Sequence, residues 1–118
     1  MGRMDKVNQM MKREISYLIQ HEIQDPGMGF VTIISVEVSR DLKYAKVNFS
    51  VLGGEPEVQK AKEALNRARK FIRKLVGQRI RIRYTPEIEF IYDNSIEYEA
   101  RLNKTFEEIR NDSLRNEL

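Results

Sequence analysis

Residues 34–51, ISVEVSRDLKYAKVNFSV, decide the fold. Ile34, Val36 and Val38 alternate with Ser35, Glu37 and Ser39. After the link Arg40-Asp41-Leu42-Lys43 the alternation resumes, with Ala45, Val47, Phe49 and Val51 on one side and Lys46, Asn48 and Ser50 on the other. A period of two places each apolar set on one face of a strand, and so short a link implies an antiparallel return. The prediction is a hairpin of two half-buried strands, one from Phe30 to Ser39 and one from Tyr44, broken at Gly53-Gly54.

The elements that cover this hairpin lie on either side of it. Val7, Met10, Met11, Ile15, Leu18, Ile19 and Ile23 recur at helical spacing, which predicts an amphipathic helix from about residue 5 to 24, stopped by Asp25-Pro26-Gly27. Downstream, Pro56 suits a first helical turn. Val58, Ala61, Leu65, Ala68, Ile72, Leu75 and Val76 then keep a three-four rhythm up to Gly77, read as a C-terminal stop. This stretch is one long helix or two abutting ones.

From Arg79 the period returns to two. Ile80, Ile82, Tyr84, Ile88, Phe90 and Tyr92 share a face opposite Arg79, Arg81, Arg83, Glu87 and Glu89. Pro86 cannot donate to a ladder, so this is an edge strand or two short segments joined there. Ser95 is placed to cap a last helix with Tyr98, Leu102, Phe106 and Ile109 inward, and residues 111–118 form a frayed tail. The predicted order, α-β-β-α(-α)-β-α, is an α+β two-layer sandwich of KH-like (type II) topology, with a three-stranded mixed sheet and helices on one face. A single domain is expected over residues 1–110, because a chain of 118 residues is too short for two ordinary cores.

Charge is the second informative feature. No acidic residue occurs between Ala64 and Pro86, whereas eight of the 21 Lys and Arg do: Arg67, Arg69, Lys70, Arg73, Lys74, Arg79, Arg81 and Arg83. Residues 1–83 hold 17 basic and 9 acidic side chains, and residues 84–118 hold 4 and 9, so the formal net charge of +3 conceals a polarised chain. Such a block suits a polyanion. At 100° per residue, Lys60, Arg67 and Lys74 fall in a line flanked by Lys70, away from the apolar stripe.

Several function classes have little support. Cysteine is absent, so disulfides, thiolate metal sites and cysteine nucleophiles are excluded together. His21 is the one histidine and has no partner cluster. Gly27-Met28-Gly29 and Gly53-Gly54 lack the context of a phosphate-binding loop, and the carboxylates Glu87, Glu89, Asp93, Glu97 and Glu99 fit strand faces and a helix start better than a metal site. No cofactor, metal or small-molecule substrate is expected. With no long apolar run, the expectation is a soluble cytoplasmic protein without a membrane partner.

Four co-linear stretches sharpen the reading. They are Glu22-Ile23-x-Asp25-Pro26, Val38-Ser39-Arg40-Asp41-Leu42-x-Tyr44-Ala45-x-Val47, Phe71-Ile72-Arg73-x-Leu75-Val76-Gly77 and Pro86-Glu87-Ile88-x-Phe90-x-x-Asp93-Asn94-Ser95. Together they resemble the ribosome-binding factor A family along almost the whole chain. The resemblance implies a KH-like fold and a non-enzymatic bacterial assembly factor. Such a factor binds the free small (30S) ribosomal subunit and its 16S rRNA, and assists late rRNA maturation and growth in the cold. Where the family has an Ala-x-Gly kink between helices, this chain reads Ala68-Arg69-Lys70, without the glycine.

The family's RNA contact is expected at this helical region, which the charge count selects independently. Arg67, Arg69, Lys70, Arg73 and Lys74 are the first candidates. Arg79, Arg81 and Arg83 continue the patch, with pairing to carboxylates as their alternative. Arg40, Lys43 and Lys46 on the hairpin are a further extension. Tyr84, Phe90 and Tyr92 share a face with isoleucines and are read as core. A monomer is expected. The competing function is an adaptor that docks the basic helix on an acidic protein.

Overall fold

The computed structural model describes residues 2–94. The elements run α1 (Arg3–His21), a 3-10 turn (Pro26–Met28), β1 (Val31–Val38), β2 (Tyr44–Val51), α2 (Glu55–Arg79) and β3 (Glu87–Tyr92). The last predicted helix, from Ser95, and the frayed tail lie outside the described residues.

Hairpin and crossover form as the alternation and the intervening helix require. β1 and β2 pair antiparallel, and β3 pairs parallel to β2, giving the order β1-β2-β3. The central strand is flanked on both sides, and its inward residues Ala45, Val47 and Phe49 are fully enclosed. α1 contributes Val7, Met11, Ile15, Leu18 and Ile19 to the core, and α2 contributes Ala61, Ala64, Leu65, Ile72 and Val76. This is the α+β, KH-like arrangement, with two helices over a three-stranded mixed sheet.

Four local features settle or correct the simple periodic reading. First, the β1 register shifts between Ile33 and Ser35. The extra residue moves the phase by one, so Val31 and Ile33 join Val36 and Val38 in the core and Ile34 is only half-buried. Second, α2 is a single helix that passes through Ala68-Arg69-Lys70, where residues of good helix propensity replace the kink glycine.

Third, Gly77 does not end α2; the helix continues to Arg79 and closes with Ile80 N–H donating to the Val76 carbonyl at 2.9 Å. The glycine is there for close approach, because a Cβ at 77 would lie 2.7 Å from Thr85 Oγ1. Fourth, residues 80–86 form a connection and not a strand. Ile80 is buried and Ile82 partly so, but Tyr84 is 54% exposed, which overturns its assignment to the core. Pro86 is buried just ahead of β3, so its missing N–H costs the ladder nothing.

Two further contacts fix the layers. Gly27 of the 3-10 turn packs so tightly on α2 that a Cβ would lie 2.6 Å from the Lys60 carbonyl oxygen and 2.9 Å from Ala64 Cβ. Asn8 of α1 accepts the Val38 backbone N–H at 2.8 Å, tethering the helix to the end of β1.

Candidate nucleic-acid interface

Because α2 is unbroken, its cations are distributed by helix geometry alone. The core side carries Val58, Ala61, Leu65, Ile72 and Val76. At 100° per residue Lys60, Arg67 and Lys74 run in a line flanked by Lys70 on the side away from the core, and Lys62, Arg69 and Arg73 form a second row on the flank facing β3. The anticipated line is therefore present on the unbroken helix, but its member Arg67 is drawn toward the 3-10 turn, and the row beside β3 is additional to it.

On the turn flank, Arg67 is committed to a carboxylate. Its Nη2 lies 2.9 and 3.2 Å from Asp25 Oδ2 and Oδ1, and Nε lies 3.3 Å from Oδ2. Asp25 is fixed by its own turn, where Oδ1 also accepts the Gly27 N–H at 3.0 Å. That backbone bond first, and the Arg67 guanidinium second, hold the Asp25 carboxyl below the usual carboxylate range.

On the β3 flank, Arg73 donates from Nη2 to the Thr85 carbonyl, a neutral acceptor, at 3.0 Å. Arg69 and Lys70 border the same hollow as Arg73, against Glu87 and Ile88. Lys62 stands 5.2 Å above the Tyr92 ring. The sequence reading missed Lys62, although its offset of seven from Arg69 carried the signal. Phe90 and Tyr92 are half-buried, packing on Phe49 with ring centroids 6.4 and 5.8 Å away. Among the described residues, Arg69, Lys70 and Lys74 have no carboxylate partner and are exposed.

Arg79 takes the paired alternative. Its guanidinium lies 3.7 Å from Glu14 and 3.4 Å from Glu22, both from α1 or its C-terminal end, and 5.2 Å from the Tyr17 ring centroid. It therefore straps the two helices together. Arg81 and Arg83 are not on a strand face; they lie in the 80–86 connection and border one cleft with Arg40 of the hairpin turn. Lys43 lines an adjoining hollow with Arg73 and Tyr84. Lys46 is on the sheet face away from the core, in register with Glu37 on one side and Glu89 on the other, so its charge is offset locally.

His21 is exposed, with its ring 4.7 Å from Tyr17. Among the described residues no group of three or more His, Asp or Glu is placed to hold a metal ion, and no helix is long and apolar enough to cross a membrane. What the arrangement offers is a set of cations along one helix, several without a carboxylate partner among the described residues, suited to phosphate.

Comparison with known proteins identifies the family. The ribosome-binding factor A family model matches residues 3–106. A ribosome-binding factor A from Halothermothrix orenii is 44% identical over 108 residues, covering 92% of this chain and 88% of the relative. One from Staphylococcus carnosus is 41% identical over 107 residues, covering 91% and 93%. The crystal structure of ribosome-binding factor A from Thermus thermophilus superposes with a TM-score of 0.69 at 25% identity, over 77% of this chain and 97% of that one. A homology model of the Thermus factor, fitted into a cryo-electron-microscopy map of its 30S complex, gives a TM-score of 0.62 at 26% identity, over 74% and 91%. With the family model matching residues 3–106 and two relatives 41–44% identical over more than nine-tenths of it, the chain belongs to the ribosome-binding factor A family.

Proposed function

We propose that this protein is a non-enzymatic assembly factor that binds the free 30S subunit through its 16S rRNA. It assists late maturation and processing of that RNA and supports growth in the cold, acting as a cytoplasmic monomer without a cofactor. The observation that carries the reading is the exposed set Arg69, Lys70 and Lys74 on α2, without an ion-pair partner among the described residues, with Arg73 beside it. The 30S complex of the Thermus relative supports the choice of partner.

Lys70, at the position of the missing kink glycine, contributes side-chain charge where a glycine would offer only backbone. Arg67 and Arg79 belong at the margins of the contact, since each already satisfies a carboxylate. Cosedimentation with separated subunits across a salt series tests the proposal. Binding to the 30S subunit and not to the assembled ribosome, with a log-log salt slope of roughly −0.7 to −0.9 per phosphate contact, is the expected outcome. A shallow slope would indicate docking on an acidic protein, and equal binding to both particles would overturn the choice of partner.

A further inference from the structure

At the hairpin end of the molecule, the first turns of α1, the β1–β2 turn and the 80–86 connection enclose a cleft of about 580 Å³. That is within the roughly 300–1,000 Å³ of small-ligand sites. Its rim carries Arg3, Lys6, Arg40, Arg81 and Arg83 against a single carboxylate, Asp41. Asp41 is already occupied within the turn, where Oδ1 accepts the Ser39 hydroxyl at 2.6 Å and the Lys43 N–H at 3.1 Å. None of the five cations is in an ion pair among the described residues.

The walls between these charges are apolar and partly open. Met10 is 42% exposed and Tyr84 54%, and the Arg83 guanidinium lies 5.3 Å from the Tyr84 ring centroid. Leu42 lines the wall with φ 62°, the left-handed residue that closes the β1–β2 hairpin turn. Charge alone would suit any phosphate. A cation rim around an exposed tyrosine and methionines suits a phosphate that carries a flat apolar group. Tyr84 also borders the neighbouring hollow with Arg73 and Lys43, so the cleft is continuous with the cations of α2.

We propose that this cleft holds one unstacked nucleotide of a single-stranded RNA segment, with its phosphates on Arg40, Arg81 and Arg83 and its base on Tyr84. The proposal rests on the RNA-binding reading given above and extends its footprint from α2 to the hairpin end. Arg3, Lys6 and Tyr84 thereby enter the binding surface.

The test is fluorescence anisotropy of the full chain with a labelled single-stranded RNA of about ten nucleotides. Tyr84→Ala is expected to weaken binding roughly five- to hundredfold, the loss of one stacked base, while Tyr84→Phe stays near wild type. Arg81→Ala with Arg83→Ala is expected to lower the salt slope by about 1.4, for two lost phosphate contacts. Circular dichroism checks that each variant is folded. Unchanged affinity in Tyr84→Ala, alongside lost binding in Lys70→Glu with Lys74→Glu, overturns the cleft and leaves RNA binding by α2 standing. Unchanged RNA affinity with weakened 30S binding assigns the cleft to a ribosomal protein and also overturns the proposal. Wild-type protein that ignores both this RNA and naked 16S rRNA overturns the cleft and the RNA-binding reading together.

Discussion

Gly77 of α2 and Thr85 of the following connection are in contact closer than any side chain at 77 would allow, with only 2.7 Å between the Cβ position and Thr85 Oγ1. In an unobstructed helix Gly→Ala stabilises by about 1 kcal/mol. Here Gly77→Ala is expected to destabilise, because Thr85 and its connection must shift. In a Thr85→Ala background the nearest remaining side-chain atom is Cβ at 3.6 Å, and the same substitution should become stabilising. A double-mutant cycle in urea is expected to give a coupling of about 1 kcal/mol or more; additive effects would show that the contact carries no strain.

Gly27→Ala meets harder neighbours, the Lys60 carbonyl oxygen at 2.6 Å and Ala64 Cβ at 2.9 Å. Neither can rotate away. A loss of about 1–3 kcal/mol is expected from overpacking, measured as a lower urea midpoint at constant m-value.

Acid sensitivity follows from Asp25. Its folded-state pKa lies below the ordinary value of 3.8, chiefly through the Gly27 N–H and then Arg67. A depressed carboxylate pKa contributes stability that is present above the unfolded-state value and is lost as pH falls through the folded-state value. Asp41 is depressed in the same direction, by the Ser39 hydroxyl and then the Lys43 N–H. Stability measured by urea from pH 7 down to the acid range should therefore fall less steeply in Asp25→Asn than in wild type. Parallel curves would mean that the Gly27 and Arg67 bonds contribute nothing.

Charge reversal is best made at Lys70 and Lys74, and not at Arg67, whose replacement by Glu would oppose Asp25 and confuse folding with binding. Both lysines are exposed on a helix that tolerates Glu well. The double variant should melt near the wild-type temperature and lose at least about tenfold in 30S affinity at physiological salt, with a flatter salt dependence. A folded variant that binds as before would place the contact elsewhere.

Phe49 and Phe90 pack edge to face with an interplanar angle of 81°, but Phe49 is 1% exposed and Phe90 only half-buried. Phe49→Ala is expected to cost about 3–5 kcal/mol, and Phe90→Ala distinctly less. Equal losses by chemical denaturation would contradict this ranking.

The hairpin, both helices and the parallel third strand were legible because each is written in a run of periodic burial. Local exceptions were not. A bulge at Ile33/Ser35 changes phase without changing composition, so Ile34 looks like a core residue by its neighbours alone. Gly77 looks like a helix stop because its contact, Thr85, is supplied by tertiary packing. The basic block was visible as a count, but which cations remain free was not. Asp25 and Arg67 are 42 residues apart, and Arg79 and Glu22 are 57 apart. Such pairs exist only once the turn and α1 have packed against α2. Tyr84 was misread because periodicity runs across residues 79–92 as though they were one strand, whereas the helix overruns and β3 begins only at Glu87.

The sheet face on which Glu37 and Glu89 bracket Lys46 acts at distances where no atom yet touches. Among the described residues it presents no excess of positive charge, whereas the opposite layer exposes Arg69, Lys70 and Lys74 on α2. A molecule so divided experiences a torque in the field of a polyanion, which turns the helical layer inward within about 10 Å of the surface at moderate salt. If rRNA is the partner, as proposed, orientation is selected during diffusion, and fewer collisions are spent with the sheet facing it.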